Sequence, residues 1–346
     1  MSFASPYLNA FELLALSQTC GSIRRILSSS NSPRVLRVNL SKMDRRNAKS
    51  ILNLLAKLFK VTQELHLTGH RLPVIFSMQG AATLKLTRLS LEFTDFHHED
   101  ADFIDGQGIA ASCGGFRHLQ RIDLKNIGPI SSRALIITCS SPLLEMIRIS
   151  GCPTLIDNCL QAIVQRTHNL RELTIEECSS LIFPVICSNS LIRLKISKCF
   201  SLQGIDVSKC HHLAILDIPW TVCLSQVPEL RPSSLRYLSL SKSNLVNLEI
   251  EILPPLLTGL DLSCCSRLKS INLGNCKKLC YLNLDFCINL ESLVLLELHQ
   301  LEELDLALLV KLRYVKLTEE YLLKRLWTQG CDSLLNENFH VSYFTK

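Results

Sequence analysis

The stretch LTGLDLSCCSRLKSINLGNCKKLCYLNLDFC, Leu257 to Cys287, decides the fold. It holds three successive copies of L-x-x-L-x-L-x-x-C, beginning at Leu257, Leu268 and Leu279, and the phase continues at Leu290, Leu301, Leu312 and Leu323. The alternation in LDL, INL and LNL has the period of a strand, with the repeated apolar and cysteine positions turned inward and the residues between them outward. Eleven residues are too few to run one strand and return, because solenoid coils need about 20 to 29. Two units therefore make one coil of 22 residues, with short strands on both sides of a flattened spiral and little room for helix.

This run resembles the 22-residue, two-sided type of leucine-rich repeat. Upstream the spacing lengthens, with strand starts near Val35, Thr62, Leu86, Leu119, Leu144 and Leu170, so the returns there are long enough to carry helices. In LEMIRISGCPTLIDNCLQAIVQRTHNL, Leu144 to Leu170, the strand LEMIRI is followed by a turn at Gly151, Cys152 and Pro153. Leu160, Ile163 and Val164 then fall at helical spacing, and Asp157 or Asn158 is the expected cap. The segment resembles the cysteine-containing leucine-rich repeat, and ISSRALIITCSSPLLEMIRISGC from Ile130 matches that form more loosely. The expected fold is an α/β leucine-rich-repeat solenoid. A curved parallel sheet carries helices on its convex side in the N-terminal half and short strands on both sides in the C-terminal half.

A chain of 346 residues invites division into domains, but repeats extend one core without needing a second. The expected organisation is a helical cap over residues 1–30 and one elongated solenoid over 31–346. About thirteen strands of the first type, roughly 4.8 Å apart, make a sheet on the order of 60 Å long. Hydrophobic residues are 47% of the chain and the mean hydropathy is +0.22, yet no run reaches the roughly 18 apolar residues of a membrane helix. Of 16 cysteines, Cys152, Cys178, Cys199, Cys210, Cys265, Cys276, Cys287 and Cys331 share one repeat position, where a thiol is a small hydrophobe and a weak donor. No C-x-x-C pair occurs, and neither His97–Asp105 (HHEDADFID) nor Cys210, His211 and His212 is read as a metal site; the first is a solvated insertion, the second a turn. Glu12 interrupts the only early apolar stretch and no basic residue precedes it, so a secretory leader is not expected. Free thiols in a reducing cytoplasm or nucleus are the expectation.

No G-x-S-x-G, H-E-x-x-H, Walker loop or dinucleotide fingerprint occurs, and repeat leucines leave no room for an appended enzyme. An enzyme is not expected, nor a cofactor. The segment SPYLNAFELLALSQTCGSIRRIL, Ser5 to Leu27, pairs Leu13, Leu14 and Leu16 with Cys20, Ile23 and Ile26 at the spacing of two short helices. With Tyr7, Leu8, Ser17 and Arg24 it resembles the second half of an F-box, and F-box proteins of the leucine-rich-repeat class place such a motif ahead of cysteine-containing repeats. The motif's opening Leu-Pro helix has no counterpart. Either the motif is shortened at its start, or the remnant serves as the end cap that a solenoid needs.

The resemblance implies that Tyr7, Leu8, Leu13, Leu14, Leu16, Cys20 and Ile23 meet a Skp-family adaptor, and that the chain is the substrate receptor of a Skp, cullin and F-box ubiquitin ligase. In that role it binds and does not catalyse; transfer is accelerated by proximity to an enzyme bound elsewhere. The alternative is a leucine-rich-repeat scaffold or effector without ubiquitin coupling. The formal charge is +6, and a basic run of Arg24, Arg25, Arg34, Arg37, Lys42, Arg45, Arg46 and Lys49 lacks the interleaved aromatics of a nucleic-acid surface, so a solvated face is expected. The protein is expected to be monomeric by itself, off the membrane, with a protein target on its concave face. There the outward columns bring forward Arg236, Tyr237, Asp261, Tyr281, Glu302, Glu303, Asp305 and Trp327, the aromatic and charged types enriched where proteins bind.

Overall fold

The computed structural model describes residues 35–39, 63–68, 86–92, 117–127, 131–224, 230, 234–248, 253–274, 276–317 and 323–331. The fold is a parallel-sheet solenoid with little helix, and the chain divides into two units, Met1–Leu170 and Arg171–Lys346.

In the first unit the strands are β1 (Val35–Asn39), β2 (Glu64–Thr68), β3 (Arg88–Glu92), β4 (Arg121–Lys125) and β5 (Met146–Ser150), each parallel to the next. The repeat leucine stands two residues ahead of its strand: Leu86, Leu119 and Leu144 are buried before β3, β4 and β5. Between them and the strand, paired N–H groups share one carbonyl of the preceding coil, as where Glu145 and Met146 both donate to the Gln120 oxygen.

The return after β4 contains helix α1 (Ser132–Thr138), and the one after β5 contains α2 (Asp157–Arg166). Helix α2 buries Cys159, Leu160, Ile163 and Val164, the stripe that its spacing predicts. The cap differs from expectation. Ile156 occupies the N-cap with no side-chain bond, and Asp157 is instead the first helical residue, where its carboxylate still favours the positive end of the helix dipole. Thr167 closes the other end, its buried hydroxyl donating to the carbonyls of Ile163 and Val164 at 3.1 and 3.3 Å.

The second unit carries two sheets. Strands β6 (Glu172–Glu176), β7 (Arg193–Ser197), β8 (Ile215–Asp217), β9 (Tyr237–Ser239), β11 (Gly259–Asp261), β13 (Tyr281–Asn283), β15 (Glu303–Asp305) and β17 (Arg325–Trp327) form one, in that spatial order and all parallel. Strands β10 (Asn247–Leu248), β12 (Ser270–Leu273), β14 (Ser292–Leu295) and β16 (Tyr314–Leu317) form the other. The two-sided arrangement read from the eleven-residue period is thus the one observed. Alternate eleven-residue units go to opposite sheets, and the register Gly259↔Tyr281 keeps corresponding residues of successive coils side by side.

The inner coils of this unit bury their three leucine-type positions, Leu279, Leu282 and Leu284 being wholly enclosed, whereas Leu323 and Leu326 of the last described coil are only partly covered. Full burial of one such side chain stabilises by about 1.5–3 kcal/mol. After the strand the backbone turns through a left-handed residue: Glu177, Lys198, Trp220, Lys242, Cys264, Phe286 and Leu308 all have φ between 54° and 61°. That conformation costs a non-glycine residue about 1 kcal/mol. It is offset by hydrogen bonds to the next coil, since the Trp220 N–H donates to the Ser241 carbonyl at 3.0 Å and the Phe286 N–H to that of Ala307 at 3.1 Å.

The reversal drives the following residue back into the core, and that is the position of Cys178, Cys199, Cys265 and Cys287; Cys152 and Cys331 likewise follow the left-handed Gly151 and Gly330, and Cys210 and Cys276 are the other two repeat cysteines. All eight are buried. Several thiols donate to a carbonyl that the sheet leaves over: Cys210 to Ile186 at 3.2 Å, Cys265 to Leu240 at 3.2 Å and Cys287 to Leu262 at 3.1 Å. Thr221 fills the same place with a hydroxyl bonded to the Ile218 carbonyl at 3.0 Å.

Candidate binding face

Strand alternation sends the first and third residue of each three-residue strand in the larger sheet of the second unit to its outward face. Tyr237, Gly259, Tyr281, Glu303 and Arg325 make one column there, and Ser239, Asp261, Asn283, Asp305 and Trp327 the next. Gly259 is the floor between two half-buried tyrosines. A Cβ at that residue would stand 2.8 Å from Cδ2 of Tyr237 and 3.8 Å from Cδ1 of Tyr281, so the absence of a side chain is what lets the Tyr237 ring settle over the strand.

Burial pushes the Tyr237 hydroxyl up to about 12, with the carboxylates of Asp261 and Asp217 adding to it. Burial likewise raises Tyr281, reinforced by Asp261, Asp305 and Glu303. Both rings therefore present neutral, undissociated faces amid negative charge.

The acids of the face fall into two groups. Towards its ends they are matched: Arg193 to Glu172 at 3.1 Å, Lys195 to Asp217 at 3.1 Å, Lys324 to Glu302 at 2.9 Å and Arg325 to Glu303 at 2.6 Å. In the middle, Asp261, Asp285 and Asp305 have no ion-pair partner among the described residues. Asp285 is pushed up by burial and then by Asp305, which places those two carboxylates within mutual influence. Asp261 and Asp305 each accept a backbone N–H two residues on, from Ser263 and Ala307, both at 3.0 Å. Asn283 does the same for Asp285 at 2.9 Å. The turn asks only for an oxygen, and an amide supplies it.

Of the eight residues singled out in the sequence, the structure gathers Tyr237, Asp261, Tyr281 and Asp305 on adjacent strands around Gly259. Glu302 and Glu303 are engaged by cations of the following coil. The Arg236 guanidinium donates to the Leu256 carbonyl at 3.4 Å, away from the tyrosines' column. Trp327 pairs in register with Asp305 and is 41% exposed. Two contributors were missed: Gly259, visible in its column only as a gap in the side chains, and Asp285, whose neighbourhood with Asp305 depends on the stacking of coils.

The residues expected to face an adaptor, Tyr7, Leu8, Leu13, Leu14, Leu16, Cys20 and Ile23, lie outside the described residues, as do His97–Asp105 and the basic run apart from Arg37 in β1. Cys210 is buried while His211 and His212 are exposed, so these three neighbours diverge. Among the described residues no cluster of three or more His, Cys, Asp or Glu is arranged to hold a metal, and no helix is long and apolar enough to cross a membrane.

No protein-family model matches the sequence, and no curated protein gives a significant match. Solved structures similar to this chain are leucine-rich-repeat proteins. A leucine-rich repeat protein from Bacteroides ovatus has 17% identity and a TM-score of 0.33, over 79% of this chain and 69% of its own. The leucine-rich repeat domain of APL1B has 15% identity and a TM-score of 0.27, over 94% and 82%. The functional domain of InlJ from Listeria monocytogenes, which includes a cysteine ladder, has 11% identity and a TM-score of 0.26, over 72% and 70%.

Proposed function

We propose that this chain is a non-catalytic protein-recognition module, and that it acts as the substrate receptor of a Skp, cullin and F-box type ubiquitin ligase. The observation that carries the recognition role is the pair Tyr237 and Tyr281 around Gly259, large rigid aromatics that stay partly exposed on their sheet among the described residues. Support for the ligase role comes from the F-box resemblance at Tyr7, Leu8, Leu13, Leu14, Leu16, Cys20 and Ile23. A scaffold or effector role without ubiquitin coupling uses the same face and dispenses with the adaptor contact.

Pulldown of a purified Skp-family adaptor by this chain separates the two. Capture that is abolished by Leu13→Asp with Leu14→Asp supports the ligase role; no capture refutes it and leaves the scaffold. For the partner that is captured on the face, Tyr237→Ala with Tyr281→Ala weakens binding by about 1 to 3 kcal/mol at nearly unchanged thermal stability. Equal affinity in that double variant refutes the placement of the face.

A further inference from the structure

The middle of this face combines two things the fold does not ask for. One is a pair of partly exposed aromatic rings that approach each other over a glycine. The other is negative charge at Asp261, Asp285 and Asp305 that has no ion-pair partner among the described residues, while Arg193, Lys195, Lys324 and Arg325 are matched to other acids, Arg236 bonds the Leu256 carbonyl and Lys242 lies over the Trp220 ring. Asn283 stands in the same column as Asp261 and Asp305 and closes the same turn, so the charge on those two carboxylates is surplus to the backbone's need. Like charges brought near one another raise the free energy of the folded chain, and here Asp305 does so to Asp285.

A cation placed over the tyrosines answers both features. Its charge meets the electron-rich ring faces and offsets the carboxylates in the neighbouring column. We infer that the occupant of this face is a basic, extended segment of a partner protein, with an arginine or lysine side chain seated over Tyr237 and Tyr281 and its charge shared among Asp261, Asp285 and Asp305. The inference rests on the reading of this face as the recognition surface. An acidic segment is excluded by the same unpaired carboxylates. A wholly apolar one would leave them desolvated without a partner.

The test is a random peptide library displayed on phage and selected against the full chain at low salt. Selected peptides are then measured against the wild type, Asp261→Asn with Asp305→Asn, Tyr237→Ala with Tyr281→Ala, and Tyr237→Phe with Tyr281→Phe. The asparagine pair keeps the backbone hydrogen bonds, as Asn283 shows, and removes charge; at residue 261 the amide also takes over from Oδ2 as the partner of the Ser239 hydroxyl, 3.3 Å away. Arginine or lysine is expected at one enriched position. Affinity should fall about tenfold in the alanine pair and about tenfold in the asparagine pair, stay within about threefold in the phenylalanine pair, and weaken as salt is raised. Peptides that need the tyrosines but carry no basic residue refute the cationic occupant while the face stands. Peptides indifferent to every substitution refute the face itself, and a library that yields no binder refutes the cationic occupant.

Discussion

Replacement of Cys276 by serine is expected to destabilise the second unit more than replacement by alanine, and the reverse order is expected at Cys287. Both thiols are buried at the inward position that follows a strand. The Cys287 Sγ lies 3.1 Å from the Leu262 carbonyl, so a serine hydroxyl there inherits an acceptor, as the Thr221 hydroxyl has one at 3.0 Å. Cys276 Sγ has no hydrogen-bond partner among the described residues, and burial alone pushes its pKa up to about 11. A hydroxyl put there loses water and gains nothing, which costs about 1–3 kcal/mol in protein interiors. Alanine merely removes a small apolar group, at about 1 kcal/mol. Cys276→Ser should therefore exceed Cys276→Ala by about 1 kcal/mol or more, whereas Cys287→Ser should cost no more than Cys287→Ala. Equilibrium urea unfolding, followed by the fluorescence of Trp220 and Trp327, reads both comparisons within the second unit, as shifts of midpoint at equal slope. The same order at both sites would show that the carbonyl bond is not what makes the thiol position tolerant.

Burial holds Cys199, Cys210 and Cys276 at about 11 against an ordinary 9.0, so the folded chain keeps protons that the unfolded chain has lost between those values. The stability they contribute is complete below pH 9 and lost as pH rises towards 11, by at most about 1.4 kcal/mol per pH unit per thiol. A urea midpoint unchanged from pH 7.5 to 10 would contradict this. At the tyrosine pair, Gly259→Ala should cost about 1–2 kcal/mol because its Cβ meets the Tyr237 ring at 2.8 Å. Combining it with Tyr237→Ala should recover part of that cost, and strictly additive midpoints in the double-mutant cycle would show that the ring is not the obstacle.

The eleven-residue phase by itself determined that alternate units belong to opposite sheets, that Leu279, Leu282 and Leu284 face inward, and that the repeat cysteine does too. These are local consequences: a leucine's place in a period-two strand depends on its neighbours in sequence, and the coil length follows from adding two units. Likewise the stripe Leu160, Ile163 and Val164 announced helix α2, although its cap was misplaced because Ser, Asp and Asn preferences leave a residue or two open at a helix start.

What the tertiary structure alone decided is which outward side chains act together. Tyr237, Gly259 and Tyr281 are 22 residues apart in turn, and the role of Gly259 exists only where two rings lean towards it across neighbouring strands. Glu303 and Asp305 look alike in sequence, yet Glu303 is held by Arg325 at 2.6 Å while the Asp305 carboxylate, among the described residues, accepts the Ala307 N–H at 3.0 Å and meets no cation. That difference arises because charge is settled between coils, through space, by which side chain can reach which, and a repeat pattern specifies the spacing of the coils without specifying that reach.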